Sequence, residues 1–251
     1  MPKLKRVYGW KPDLPDMRDH LFTAKRRIIA EELPRKVDLR EKCSPVEDQG
    51  QIGSCTAQAI VGCLECLEIS RTKVFTDLSR LFLYYKEREL ENSVNIDQGA
   101  YIRDGIKVLA KIGVPHEDLW PYNMARWAEK PTAEAHRGAK QHKITDYQRM
   151  SSLQEMKSCL AAGYPFVFGF SVYDYFESKK MAETGVLVMP KGSERVLGGH
   201  AVTAVGYDDD ISHFIVRNSW STKWGQKGYF MMPYEYLADR NLSDDFWSIR
   251  K

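Results

Sequence analysis

One stretch, Asp48 to Ala59, constrains this chain more than any other. It reads Asp-Gln-Gly-Gln-Ile-Gly-Ser-Cys-Thr-Ala-Gln-Ala. Gly50 and Gly53 punctuate its first half as a turn. From Thr56 the chain continues through Ala57, Ile60, Val61, Leu64 and Leu67 without a proline, its apolar positions at helical spacing. The pattern predicts a helix that opens at Cys55 and runs to about Ser70. Unpaired backbone N–H groups and the helix dipole favour negative charge at such a position. A thiol there loses its proton more readily, and the thiolate is the nucleophilic form. The commoner fate of a cysteine is simple burial as a small apolar residue; what lies downstream favours chemistry instead.

The chain is 251 residues long with a net charge of +3. That length suits one large domain or two modest ones sharing a cleft. So small a charge gives no argument for nucleic acid or a membrane surface as the main partner, and neither is expected. The basic run Lys25-Arg26-Arg27 reads as a solvated face. No stretch is long and apolar enough to span a bilayer, and Met1-Pro2-Lys3-Leu4-Lys5-Arg6 lacks the apolar core of a secretory signal, which leans towards the cytoplasm. The cysteines are Cys43, Cys55, Cys63, Cys66 and Cys159. With Cys55 as nucleophile, the other four form two disulfides or none. Cys63 and Cys66 sit within a helical pattern with no second pair at zinc spacing, so they read as packed thiols, not a metal site. No metal or cofactor is expected.

Residues 1–33 differ in texture from the rest. Pro2, Pro12 and Pro15 fall among Tyr8, Trp10, Leu14 and Met17, which predicts an extended course lying on something else, with a short helix at about 24–32. Residues 34–47 predict a strand and turn. Helices are expected at about 78–90, 101–112 and 132–141, the second stopped by Gly113 with Pro115 beyond it. Ser152-Leu153-Gln154-Glu155 is a capping-box pattern starting a helix that Gly163 ends. Strands are expected at 165–172, 201–206, 213–217 and 228–232, with Asp208-Asp209-Asp210 as a solvated hairpin turn. A helical first half and a β-rich second half argue for an α+β fold with a cleft between them. The expected divisions are 1–33, 34–142 and 143–251.

A thiol nucleophile needs a base, and the base needs an orienting partner. His200 follows Gly198-Gly199 and leads into a strand. His20, His116, His136 and His142 read as solvated, and His213 as a half-buried strand residue. Asn218, at the end of a strand next to that of His200, can fix the imidazole by a hydrogen bond, and Trp220 can shield that bond. Gln49 can aim a side-chain N–H at a developing oxyanion, with the Cys55 backbone N–H as second donor.

These residues together resemble the papain-like cysteine peptidases, over about residues 34–235. His200 and Asn218 stand 145 and 163 residues beyond Cys55. Leu33-Pro34 followed by Val37-Asp38 resembles a mature N-terminus. Gln98-Gly99-Ala100-Tyr101 resembles the glycine-rich wall that pairs with substrate backbone, and the run Asn218 to Tyr229 resembles the family's segment around its catalytic asparagine. The resemblance implies a two-domain fold, helical on the left and a β-sheet or barrel on the right. It implies Cys55 as nucleophile, His200 as general acid and base, Asn218 as orienter and Gln49 as oxyanion donor. It further implies Gly99, Ala100, Tyr101, Gly198, Gly199 and Trp220 as substrate contacts, and a Cys55 thiolate paired with His200 at neutral pH. Peptide or protein substrates follow from it.

The sequence also departs from the family. Thr56 replaces the usual aromatic after the nucleophile, and Ile52 stands where secreted members carry a disulfide cysteine. The disulfide set is therefore not the usual one, which favours a prokaryotic-type or intracellular branch. An endopeptidase is the leading reading. The alternatives are a transpeptidase or cyclase using the same acyl-enzyme, and a binding module held inactive by its N-terminal strap. Gly198 and Gly199, with Tyr101 as a wall, suggest a roomy apolar pocket for Leu, Phe or Tyr that rejects acids. Residues 1–33 are expected to act as a short inhibitory propeptide anchored by Tyr8, Trp10 and Leu14, the alternative being a strap that packs on the back of the molecule and only adds stability.

Overall fold

A computed structural model describes residues 6–22 and 33–251. The helix expected at 24–32 lies outside the described residues. Helix α1, Cys55–Thr72, is the axis of the molecule and is buried from Cys55 through Glu68. A helix buried all round must satisfy every polar side chain it carries. Glu65 does so by accepting from Ser44 Oγ at 2.5 Å, Leu78 N at 3.0 Å and the Arg80 guanidinium at 2.6 Å. Gly62 leaves room for Arg217, whose Nε would lie 3.1 Å from a Cβ there. Arg217 in turn donates to the carbonyls of Ser44 and Pro45. The loop that leads to Gln49 is thus tied to α1 from both sides.

Helices α2 (Arg80–Leu90) and α3 (Ile102–Lys111) pack against α1. Helix α2 starts two residues later than its apolar pattern suggested, because Ser79 Oγ accepts from Phe82 N at 3.1 Å and caps it. Helix α4, Ala133–Ala139, is shorter than expected. The capping box at Ser152 and Glu155 is present and opens α5, Leu153–Ala161.

The second half is an antiparallel sheet of seven strands. Its members are β2 (Lys36–Asp38), β4 (Asp146–Arg149), β5 (Phe166–Tyr173), β6 (Val196–Asp208), β7 (His213–Arg217), β8 (Tyr229–Pro233) and β9 (Ser243–Arg250). The order is β4-β9-β5-β6-β7-β8, with β2 also on β6. Strand β6 is longer than its apolar run, since it extends through Gly198 and Gly199 to pair with β5. The turn after Asp208 is less free than expected: Lys36 pairs with Asp208 at 2.7 Å and Lys157 with Asp209 at 2.8 Å. Short helices α6 (Lys179–Thr184) and α7 (Tyr234–Ala238) cover the sheet.

Two apolar cores result. One gathers α1, α2 and α3 and reaches Val167, Ala201 and Trp247 on the sheet. The other is dense in Phe166, Phe168, Phe170, Phe176, Phe214, Phe230 and Phe246. Cys43 and Cys66 are joined in a disulfide, while Cys55, Cys63 and Cys159 are free. The Cys-x-x-Cys is therefore not a pair of packed thiols: Cys66 faces the turn carrying Cys43, and Cys63 faces the Pro165 carbonyl. No helix among the described residues is long and apolar enough to cross a membrane. Among them, no group of three or more His, Cys, Asp or Glu is arranged to hold a metal ion.

Residues 6–22 lie along the junction of the two halves. Trp10–Lys11 forms strand β1, parallel to β3 (Ala100–Tyr101), and Ala100 N donates to Gly9 O at 2.8 Å. This close approach requires glycine on both sides. A Cβ on Gly9 would come within 1.9 Å of Gly53 O, and one on Gly99 within 1.8 Å of Gly9 O.

Candidate active site

Cys55 begins α1, as its sequence predicts, and is wholly buried. His200 lies on β6 and Asn218 directly follows β7, the antiparallel neighbour of β6. The sheet therefore brings together two side chains 18 residues apart. His200 Nε2 and Asn218 Oδ1 are 2.8 Å apart. Nδ1 of His200 has no hydrogen-bond partner among the described residues. The next residue, Ala201, directs its backbone N–H at the Cys55 thiol, so β6 runs past the sulfur at the level of His200. The indole of Trp220 lies 5.3 Å from the imidazole, centroid to centroid, and covers it.

Gln49 is tied to the residue that follows Asn218. Its Oε1 accepts from Ser219 Oγ at 2.7 Å, and its backbone N donates to Ser219 O at 2.9 Å. That fixes the amide with Nε2 turned inward, donating to Ile52 O at 3.1 Å and to Val7 O, on the strap, at 3.5 Å. The arrangement brings together a buried thiol, an imidazole held through one nitrogen by an amide oxygen, and a side-chain amide N–H, groups that can serve as nucleophile, base and oxyanion donor. That is the inventory of acyl transfer by a thiol.

With the site so arranged, comparison with known proteins becomes decisive. The model of the papain family cysteine proteases matches residues 33–243. The chain belongs to the papain family of cysteine proteases. It is 43% identical to xylellain, a cysteine protease from Xylella fastidiosa, over 98% of both chains, and the two folds superpose with a TM-score of 0.92. It is 40% identical to a peptidase C1-like protein of Acanthamoeba polyphaga mimivirus, over 99% of this chain and 88% of that one. It is 31% identical to a cathepsin B-like protein of Giardia intestinalis, over 85% of this chain and 73% of that one. The protein is a cysteine-type peptidase, and the fold is the papain-like α+β fold.

The protonation of the papain-like site differs from what the helix start alone suggests. Burial pushes the Cys55 thiol up to about 11, although N–H groups of Ala201, Gly9 and Thr56 aim at it. Burial also pushes the His200 imidazole down to about 4. Desolvation penalises both charged forms, so burial under the strap works against the thiolate–imidazolium pair expected from the sequence.

The strap contributes to that burial. Tyr8 packs edge-on against His200 at 6.1 Å and donates its hydroxyl to Glu177 Oε1 at 2.5 Å. Its Cβ sits 2.7 Å from where a side chain on Gly198 would begin. The Trp10 indole lies over Gly169 and Gly199 and donates to Asp245 Oδ2 at 2.9 Å. Asp245 Oδ2 also accepts from Asp13 N, and Oδ1 from Arg149. Ala100 pairs with the strap backbone through its N–H, Gly99 meets Gly9, and the Tyr101 ring carries Lys11 Nζ at 4.7 Å. All ten residues singled out from sequence therefore lie against the strap, the catalytic group or both. Leu14 is not an anchor, because it is largely exposed, as is Met17.

Sequence reasoning missed three participants. Asp245 is a buried acid just before two aromatics in Ser243-Asp244-Asp245-Phe246-Trp247, and a charge at a core position of a strand was the signal available. Glu177 had none, since its role comes from a fold-dependent turn. Glu87 is fully buried and accepts from Thr56 Oγ1 at 2.7 Å. Burial holds its carboxyl well above the ordinary range. This pair occupies the space behind Cys55 where the departure at Thr56 was noted. His142 is also not solvated, for its ring meets Glu68 at 2.9 Å.

Proposed function

We propose that this papain-family protease is an endopeptidase that works through a thioester on Cys55 and is held closed by its own N-terminal strap. The observation that carries the catalytic part is the His200–Asn218 bond at 2.8 Å, which leaves Nδ1 without a partner among the described residues, while the N–H of the next residue, Ala201, is aimed at the Cys55 sulfur. Once the strap leaves, water re-enters and the penalty on both charges falls. His200 then takes the thiol proton, and the thiolate attacks the substrate carbonyl. Gln49 Nε2 and the Cys55 N–H receive the oxyanion. The imidazolium gives its proton to the departing amine, and Asn218 keeps the ring oriented. A water activated by His200 hydrolyses the thioester.

The strap reading rests on direction as well as burial. A substrate's acyl side must run along Ala100–Tyr101, with its leaving side beyond His200, the residue that protonates the amine. The strap runs the other way, with Arg6 to Tyr8 on the leaving side and Trp10–Lys11 on the acyl side. It presents the Gly9 N–H to the sulfur. A chain held in that sense fills the cleft without offering its own bond for cleavage. Trp10 marks an acyl-side pocket that is apolar over Gly169 and Gly199 and has Asp245 at its polar end. It should therefore take an aromatic or large apolar side chain and reject acids.

The test pairs an epoxysuccinyl probe with a peptide library, using wild type and Cys55→Ala. Probe addition and peptide cleavage should both depend on Cys55. Cleavage that survives in Cys55→Ala refutes the assignment. An added amine that diverts most product from acid to amide would favour transpeptidation over hydrolysis.

A further inference from the structure

On the leaving side of the cleft, the Arg6 guanidinium lies over the Trp220 indole, 4.8 Å from its centroid. It donates to Asp48 Oδ1 at 3.0 Å and to Gly50 O at 3.3 Å. Asp48 and Trp220 are not neighbours by chance. The two residues form a β-bridge, flanked by Gln49 N to Ser219 O and Ser221 N to Glu47 O, both 2.9 Å. An aromatic face, a carboxylate and a carbonyl are therefore held in register by the same pairing that fixes Gln49. Asp48 Oδ1 also accepts from Gly50 N at 3.0 Å, so its carboxylate is oriented before any ligand arrives. Glu177 adds a second carboxylate nearby, beyond the imidazole, where it meets the Tyr8 hydroxyl.

A planar cation with forked donors fits such a site, because it can stack on the ring while bonding edge-on to the acid. When the strap leaves, Arg6 vacates it and a substrate side chain takes its place. We propose that Asp48, with Trp220, is a specificity determinant that selects arginine in the first two positions after the scissile bond. The strap's Arg6 is then a mimic of that substrate residue. The inference rests on the peptidase reading above, and the test separates the two.

Full-length enzyme is given three peptides in one tube, identical up to the scissile bond and carrying Arg-Arg, citrulline-citrulline or Glu-Glu immediately after it. Competing substrates meet the same open enzyme, so their relative consumption is independent of how often the strap leaves. The arginine peptide should be consumed about threefold to thirtyfold faster than the citrulline peptide, from a stacked cation and a half-exposed ion pair together. Asp48→Asn should bring that ratio towards one, and Asp48→Lys should favour the glutamate peptide. Equal consumption by wild type overturns the specificity claim and leaves the peptidase reading intact, whereas cleavage of none of the three counts against that reading. A second readout needs no turnover. Arg6→Ala and Asp48→Asn should each speed alkylation of Cys55 by iodoacetamide, and the double variant should gain no more than the faster single one. Fully multiplicative effects would show that Arg6 and Asp48 do not act as a pair, and would overturn the proposal by themselves.

Discussion

Trp10→Ala tests the strap most sharply, because Trp10 does most to close the cleft. The indole is 8% exposed, lies on Gly169 and Gly199, and donates to Asp245 at 2.9 Å. Truncating a buried tryptophan costs about 3–5 kcal/mol. In the closed form that loss falls on strap docking, since the indole is buried only while the strap is in place. At about 1.4 kcal/mol per decade, the open fraction should rise about 100-fold to several-thousand-fold. Trp10→Phe keeps most of the area and loses only the N–H. Asp245 Oδ2 then still accepts from Asp13 N, so the expected gain is near tenfold. The assay is pseudo-first-order alkylation of Cys55 by iodoacetamide at pH 7, well below the melting temperature of each variant. Leu64→Ala, in α1 and away from the strap, controls for lost stability. The reasoning is refuted if Trp10→Ala labels no faster than wild type, or no faster than Leu64→Ala at a matched loss of Tm.

Three further outcomes follow from the same geometry. Gln49→Ala should lower kcat by about 100- to 1000-fold, as loss of an oxyanion donor does elsewhere, with a smaller change in KM; an effect confined to KM would place Gln49 in substrate binding alone. The raised Cys55 thiol stabilises the closed form at low pH, a contribution lost as pH climbs from the ordinary thiol value towards about 11. The depressed His200 imidazole stabilises it above the ordinary histidine value, a contribution lost as pH falls towards about 4. Tm of the intact protein should thus be highest between these limits, and Cys55→Ala should flatten the alkaline fall while leaving the acid one; an unchanged alkaline limb contradicts burial of the thiol. Reducing the Cys43–Cys66 link, whose partners are 23 residues apart, should cost about 3 kcal/mol by loop entropy. Calorimetry with and without reductant reads that loss, and an unchanged Tm would remove the disulfide from the account.

The legibility of this chain varied with the range of the interactions involved. The start of α1 at Cys55, the capping box at Ser152 and the stop at Gly113 were readable because each is local chemistry within one turn. Gln49, Cys55, His200 and Asn218 were singled out because the resemblance names them. The boundaries of α2 and β6 were less so, since Ser79 capping and pairing with β5 override the apolar pattern. The burial that penalises both charged forms of Cys55 and His200 could not be read from the helix start at all. It depends on Tyr8, Gly9 and Trp10 excluding water, a contact across more than forty residues. Glu177 was invisible for the same reason, and Asp245 offered only a charge at a core position of a strand, as the strap and the fold give both their partners.

The most direct test of the whole account is to trap the acyl-enzyme. Strap-loosened Trp10→Ala protein is mixed with an activated peptide ester, quenched in acid within one turnover, digested and analysed by mass spectrometry. The account predicts one acyl adduct on the peptide containing Cys55, released by hydroxylamine and absent when Cys55 is replaced by Ala. Turnover without that adduct, or an adduct on Cys63 or Cys159 instead, would contradict it.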